Sequence, residues 1–177
     1  NLIKTLKIAN ISKNSATIFA YKVKDPERYG VVEFDSNNIV KSIEEKPKFP
    51  KSRYAVTGIY FYDKNVVEYS KTITKSKRGE LEITDLNNIY IKKGKLKTEI
   101  FGRGSAWFDT GTHSSLLEAS NFIYTLEKRQ SLKIGSPEEV AWRNNWIDND
   151  ILENLSKASI KNDYGQYLRD LIISESS

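Results

Sequence analysis

The chain has 177 residues, 38% of them hydrophobic and 29% charged, which suits one domain or one large piece of a larger one with a real buried core. It contains no cysteine and a single histidine, His113, which excludes disulfides, thiolate metal sites and a multi-histidine metal centre within the chain. The formal charge of +5 arises from 28 basic residues interleaved with 23 acidic ones. With no nucleic-acid reader motif beside it, that excess reads as attraction for small phosphorylated ligands rather than for nucleic acid. No apolar run approaches the roughly 18 residues of a membrane span, and no signal-peptide pattern is present. The absence of cysteine is compatible with a reducing cytoplasm, and a cytoplasmic protein is the expectation.

The chain lacks methionine and opens on Asn1-Leu-Ile-Lys-Thr-Leu-Lys-Ile-Ala9. Leu2, Leu6 and Ala9 can share a helical face there, but no cap precedes them, so the sequence reads as starting inside an element. Ser15 to Val23 is rich in strand formers and alternates in part, up to the turn signal Lys24-Asp-Pro26. Gly30 to Asp35 and Ile39 to Glu45 flank the polar loop Ser36-Asn37-Asn38 and predict a hairpin. Gly30 lets a backbone N–H approach a ligand closely, and Glu44-Glu45-Lys46-Pro47 ends the second strand. Neighbours in a strand point to opposite faces, so Glu45 and Lys46 need not pair with each other: one is suited to sugar hydroxyls, the other to a phosphate. Their plain alternative is an exposed strand end.

Tyr54 to Asp63 predicts a further strand dense in aromatics. Arg78, within Lys77-Arg78-Gly79-Glu80, precedes a helix over Glu82 to Ile91 that Gly94 ends. It can fork onto a phosphate or form an ordinary surface ion pair with Glu80 and Glu82. Lys95 to Gly102 is the next predicted strand. In Arg103-Gly-Ser-Ala-Trp-Phe-Asp-Thr-Gly-Thr-His113, Ala106, Trp107 and Phe108 read as strand. Thr112 caps a helix carrying Leu116, Leu117, Ala119, Phe122, Ile123 and Leu126 at helical spacing. Asp109 then falls at a strand's carboxyl end, where an acid suits a hard cation such as Mg²⁺ against a phosphate; its plain alternative is to satisfy loop N–H groups.

Beyond that helix the chain reads as wholly helical. Ser136-Pro-Glu-Glu139 is a capping box with Pro at the first helical position. Asp148 or Asn149 starts the next helix, Asn162 or Asp163 the last, and the tail Ser174-Glu-Ser-Ser reads as frayed. Strands first and helices last make an α/β body over residues 1–130 with a helical region over 131–177.

Together, Asp25-Pro-Glu-Arg-Tyr-Gly-Val-Val-Glu-Phe-Asp35, Ile43-Glu-Glu-Lys-Pro47, Tyr54-Ala-Val-Thr-Gly-Ile-Tyr-Phe-Tyr-Asp63, Arg78-Gly-Glu-Leu-Glu-Ile-Thr-Asp85, Trp107-Phe-Asp-Thr-Gly-Thr-His113 and Lys161-Asn-Asp-Tyr-Gly165 resemble the glucose-1-phosphate thymidylyltransferases, sugar nucleotidyltransferases that make dTDP-glucose. The resemblance runs in order from about Ser15 to about Arg169. It implies a Rossmann-like mixed-sheet nucleotidyltransferase fold with a C-terminal helical appendage. It also implies that this chain is the later part of such an enzyme, without the Gly-rich nucleotide-binding segment.

On that resemblance Gly30, Glu45, Lys46, Val56 and Tyr60 line a glucose 1-phosphate pocket and Trp107 forms a wall. Arg78 contacts phosphate, and Asp109 is a Mg²⁺ ligand. Arg103, Gly135, Glu139 and Arg143 contribute to a regulatory nucleotide-sugar pocket, although Glu139 and Arg143, four apart on one helix, also suit a plain ion pair. The implied partners are dTTP, glucose 1-phosphate and a dTDP-sugar, within a homotetramer. Besides a catalytic piece of such an enzyme, a non-catalytic sugar-phosphate or nucleotide-sugar binding module and a purely structural piece remain open. So does a sister enzyme using UTP or another sugar 1-phosphate.

Overall fold

The computed structural model describes residues 2–11, 15–37 and 39–175. Asn38 of the predicted hairpin loop and Ser176 and Ser177 of the tail lie outside the described residues, as does the side chain of Leu2. The chain divides into two compact units, Asn1–Trp107 and Phe108–Ser177. No helix among the described residues is long and apolar enough to cross a membrane.

The first unit opens with α1 (Leu2–Ile11) and holds a five-stranded sheet: β1 (Ala16–Lys22), β2 (Gly30–Phe34), β3 (Val40–Glu45), β4 (Tyr54–Phe61) and β5 (Leu96–Ile100) in the order β3-β2-β4-β1-β5. β1 runs parallel to β5, and the other pairs are antiparallel. The partial alternation of β1 has a physical cause. It lies between two strands, and Ala16 to Ala20 are all buried, so an apolar residue is favoured on either side of the strand. Ile18 and Ala20 pack with Val32 and Ile43 in one core cluster, while Ala16 joins Leu86 and Tyr90 in another.

The β2–β3 hairpin forms as predicted. Asp35 closes it, accepting from the Asn37 and Ile39 amides at 2.8 Å each, as short polar side chains do in such turns. β3 is an edge strand, and its exposed ladder is covered by a side chain of α3 (Ile83–Lys92): the Asn88 amide accepts from Ile43 N at 3.2 Å and donates to Ile43 O at 2.9 Å. Across the hairpin, Glu33 accepts from Ser42 Oγ at 2.6 Å, Lys51 Nζ at 2.9 Å and Lys41 Nζ at 3.0 Å.

Two local predictions need correction. Residues 106–108 are not strand: aromatic propensity makes a strand only where a partner edge is offered, and Trp107 instead packs its ring on Tyr21 and Tyr29. A short helix, α2 (Val66–Ser70), stands between β4 and Arg78, where no element is predicted; five residues are too few to display helical periodicity.

The second unit consists of α4 (His113–Gln130), α5 (Pro137–Arg143), α6 (Asn149–Ala158) and α7 (Asp163–Glu175). Their starts are set by side chains that accept otherwise unpartnered amides. Thr112 accepts from Ser115 N, Ser136 from Glu139 N, Asp148 from Ile151 N, and Asn162 from the amides of Tyr164 and Gly165. Ser136 caps as predicted, but the Glu139 carboxylate engages Arg143 and Tyr167. Of the six apolar positions read on α4, only Ala119 is buried. The core is Trp142, Leu152, Tyr167, Leu168 and Leu171.

α7 meets the end of α6 through Gly165, where a Cβ would stand 2.1 Å from the Ser159 carbonyl oxygen. Backbone cannot yield as a flexible side chain does, so Gly165→Ala is expected to cost about 3 kcal/mol in urea unfolding. Gly102→Ala, at an open position, is expected to stay within about 0.5 kcal/mol; equal midpoints for the two would sink this account. At the hairpin, the bonds from Ser42, Lys51 and Lys41 hold the Glu33 carboxyl down at about 2. A depressed folded-state value means that the contribution of Glu33 to stability is complete above the ordinary glutamate range and fades as pH falls toward 2. Carbon-detected NMR titration should place its midpoint there, and Ser42→Ala should move it upward.

Candidate functional site

The first unit brings several of the predicted residues together around the start of β2 and the end of β3. Gly30 and Glu45 are register partners across the hairpin. A Cβ on Gly30 would lie 3.2 Å from Glu45 Oε2 and 3.2 Å from Thr84 Oγ1. The lack of a side chain at Gly30 therefore gives room to a carboxylate and a hydroxyl that touch each other: Thr84 Oγ1 donates to Glu45 Oε2 at 2.7 Å. Thr84 sits in the first turn of α3 and is buried. It is the residue that sequence reasoning missed, because a threonine early in a helix carries no distinctive signal of its own.

Arg78 reaches the same carboxylate. Its guanidinium lies 3.7 Å from Glu45 Oε1, 3.3 Å from Glu82 Oε1 and 3.1 Å from Glu80 Oε2. The expected surface pairing with Glu80 and Glu82 is thus present, and Glu45 is added to it. The loop bearing Arg78 is fixed by Ser76, whose Oγ donates to Glu82 Oε1 at 2.9 Å and accepts from Arg78 N at 3.2 Å.

Tyr60, half-buried on β4, is close enough to be affected by this charge: burial raises its hydroxyl pKa, and Glu45 raises it further. Val56 packs into the cluster around Ile18, Ala20, Val32 and Ile43. Trp107 packs edge-on against Tyr29 at 5.2 Å between centroids, and Tyr29 immediately precedes Gly30.

Lys46 departs from the strand alternation read from sequence. β3 ends at Glu45, and Lys46 takes a left-handed backbone with φ 44°, its N–H donating to Tyr29 O at 3.0 Å. A non-glycine residue held in this conformation turns the chain sharply, so the opposite-face rule stops at Glu45.

The remaining candidates belong to other places in the fold. Arg103 is exposed in a turn of the first unit. In the second unit, Gly135 stands next to the Ser136 cap, and Arg143 Nε donates to Glu139 Oε1 at 2.7 Å. Asp109, also in the second unit, precedes α4 in a loop rather than at a strand's end, and its Oδ1 accepts from Gly111 N at 3.2 Å. Among the described residues no three His, Asp or Glu side chains gather as a metal-binding group. A single half-buried carboxylate nevertheless fits Mg²⁺, which is commonly held by one or two carboxylates with substrate phosphates and water supplying the other oxygens.

If Thr84 holds Glu45 through its hydroxyl, Thr84→Val is expected to lower unfolding stability by about 1.5 kcal/mol, with Thr84→Ser losing less than half of that. Urea titrations of the two variants check this, and equal losses would assign the effect to packing.

Residues 1–125 match the family model described as nucleotidyl transferase. Over 169 residues the chain is 54% identical to a glucose-1-phosphate thymidylyltransferase of Neisseria meningitidis serogroup A, covering 96% of this chain and 59% of that protein. It is 52% identical to the protein of the same name from Mycolicibacterium smegmatis, covering 90% of this chain and 55% of the relative. The chain thus spans a little over half the length of these relatives. Among solved structures, a protein assigned as a glucose-1-phosphate thymidylyltransferase from Bacillus anthracis, in complex with sucrose, matches with TM-score 0.60 and 40% identity over 76% of this chain and 50% of that one. A UDP-glucose pyrophosphorylase complexed with UDP-glucose shares the fold, at TM-score 0.59 and 22% identity over 70% of this chain and 48% of that one.

Proposed function

The chain belongs to the nucleotidyl transferase family, and on that premise we propose that it supplies the sugar-phosphate side of a glucose-1-phosphate thymidylyltransferase. In the reaction, a phosphate oxygen of α-D-glucose 1-phosphate attacks the α-phosphorus of dTTP in line. The new O–P bond forms as the bond from that phosphorus to the bridging oxygen breaks, giving dTDP-glucose and pyrophosphate. The nucleophile is already an anion, so the step needs positioning and charge neutralisation more than a strong base.

The observation that carries this reading is the Glu45 carboxylate, seated over bare Gly30, bonded by Thr84 and flanked by Arg78. A carboxylate fixed in this way accepts hydrogen bonds from sugar hydroxyls, and a guanidinium beside it meets the phosphate of the same ester. Arg78 gives up part of its contact with Glu45, Glu80 and Glu82 to do so. Lys46 adds a second cation, so the mutual repulsion of two phosphorylated substrates is reduced as they meet. Tyr60, Val56 and Trp107 bound the sugar. When bound, Mg²⁺ neutralises charge developing on the leaving side, and Asp109 is the residue that would hold it.

In the same reading the protein is a cytoplasmic homotetramer serving dTDP-rhamnose synthesis. Arg103, Gly135, Glu139 and Arg143 then contribute to a regulatory nucleotide-sugar pocket. Support for assembly and regulation is the resemblance of the sequence.

Calorimetric titration of the 177-residue chain with glucose 1-phosphate tests the site. Saturable binding is expected, weakened about tenfold or more by Arg78→Ala and by Glu45→Gln, the cost of one charged contact. A folded chain that binds no glucose 1-phosphate overturns the reading. Formation of dTDP-glucose and pyrophosphate by the complete protein with dTTP and Mg²⁺ separates an enzyme from a binding module that has lost catalysis.

A further inference from the structure

Helix α3 carries a second buried polar residue, three positions beyond Thr84, that the reading above leaves unused. Asn87 is fully buried. Its Oδ1 accepts from the Tyr62 hydroxyl at 2.7 Å, while its Nδ2 has no hydrogen-bond partner. A buried amide that is only half satisfied is unfavourable, and replacing both members of such a pair by apolar groups of similar shape is often neutral or stabilising. Stability alone therefore gives little reason for an amide here. What the bond does determine is the direction of the Tyr62 ring.

That ring is the support for Tyr60. The two rings stack at 5.9 Å with an interplanar angle of 10°. Tyr62 is also tilted against Tyr90 at 5.4 Å, and the Tyr90 hydroxyl is anchored on Asp63 Oδ1 at 2.8 Å. Tyr62 thus has its hydroxyl tied to the helix, its ring packed on an anchored ring, and Tyr60 stacked on it. Tyr60 packs against the cluster of Ile18, Ala20, Val32 and Ile43, and Ile43 lies two residues before Glu45 on β3; burial and the Glu45 charge both raise the Tyr60 hydroxyl pKa. Thr84 and Asn87, three apart and so neighbours on the helix surface, then act on two members of the proposed site: Thr84 on the acid, Asn87 through Tyr62 on the Tyr60 ring.

We propose that Asn87 is a positioning residue, which through Tyr62 sets the angle of the Tyr60 ring and so the preference of the site for one hexose 1-phosphate epimer over another. This rests on the reading of Glu45, Arg78 and Tyr60 as a sugar-phosphate site. A ring wall placed at a fixed angle discriminates by shape, and an epimer whose hydroxyl projects differently loses contact or clashes. A ring free to tilt discriminates less.

The test uses the full 177-residue chain and two esters, glucose 1-phosphate and galactose 1-phosphate. In the double variant Tyr62→Phe with Asn87→Leu, the thermal midpoint is expected to stay level or rise. The affinity for glucose 1-phosphate is expected to fall about tenfold while that for galactose 1-phosphate changes little, so the preference narrows. Tyr62→Phe alone, which keeps the ring but frees it from Asn87, is expected to narrow the preference in the same direction and provides a second route should the double variant fold poorly. Retention of the original ratio of affinities in either folded variant overturns the inference. So does an equal loss of both affinities together with a lower midpoint, which assigns Asn87 a structural role only. If the unsubstituted chain binds neither ester, the site reading fails and the inference with it, an outcome distinct from a retained ratio.

Discussion

The first unit depends on a helix that buries polar side chains against a sheet. Along α3, Thr84 bonds Glu45, Asn87 bonds Tyr62, Asn88 bonds both backbone groups of Ile43, and Tyr90 bonds Asp63. Apolar packing alone would tolerate a helix shifted or rotated by a fraction of a turn. Hydrogen bonds in a dry interior tolerate much less, because each misplaced group leaves an unpaired donor or acceptor behind. The helix therefore fixes the register of β3 as well as covering it: a slip by one residue would remove Ile43 from Asn88 and Glu45 from Thr84 together. The candidate site inherits its geometry from that constraint.

The charges on the site are held differently. Arg78 is shared among Glu45, Glu80 and Glu82, with 39% of its side chain exposed. Partly exposed pairs of this kind are individually weak. A guanidinium divided among three such partners keeps a defined position yet exchanges partners at small cost, as the proposed contact with a phosphate requires. Glu45 is held the other way, by a close bond from a buried hydroxyl. Glu45 and Arg78 thus differ in stiffness for an identifiable reason.

Legibility in the sequence followed the range of the forces involved. The starts of α4 to α7 are readable because Thr112, Ser136, Asp148 and Asn162 act on amides only a few residues away, and the β2–β3 hairpin because the polar loop Ser36-Asn37-Asn38 separates two strand-forming runs. Residues 106–108 misled because strand formation needs a partner edge that composition does not reveal. The apolar positions of α4 were recognisable as helical, but not as mostly exposed within this chain. At the site, Gly30, Glu45 and Arg78 were found through long motifs whose order and spacing are specific. Thr84 and Asn87 lay within or next to one of those motifs but were not singled out, since their roles arise only when α3 folds back onto the hairpin. Lys46 was identified while its left-handed backbone was not, and with it went the expectation that it continues the strand.

The place of β1 in the sheet also governs how the molecule is made. Its neighbours are β4 on one side and, in parallel, β5 on the other, with Ala16 opposite Leu96 and Ala20 opposite Ile100. Between β1 and β5 the chain places three further strands and two helices, so β5 is synthesised well after β1. Until then the side of β1 that β5 occupies lacks that partner. Contacts so far apart in the chain form slowly, and strands left waiting in this way are open to pairing with other chains. Docking of β5 is thus the step that closes this side of β1, and before Leu96 to Ile100 have been synthesised the β1–β5 pairing cannot shield it.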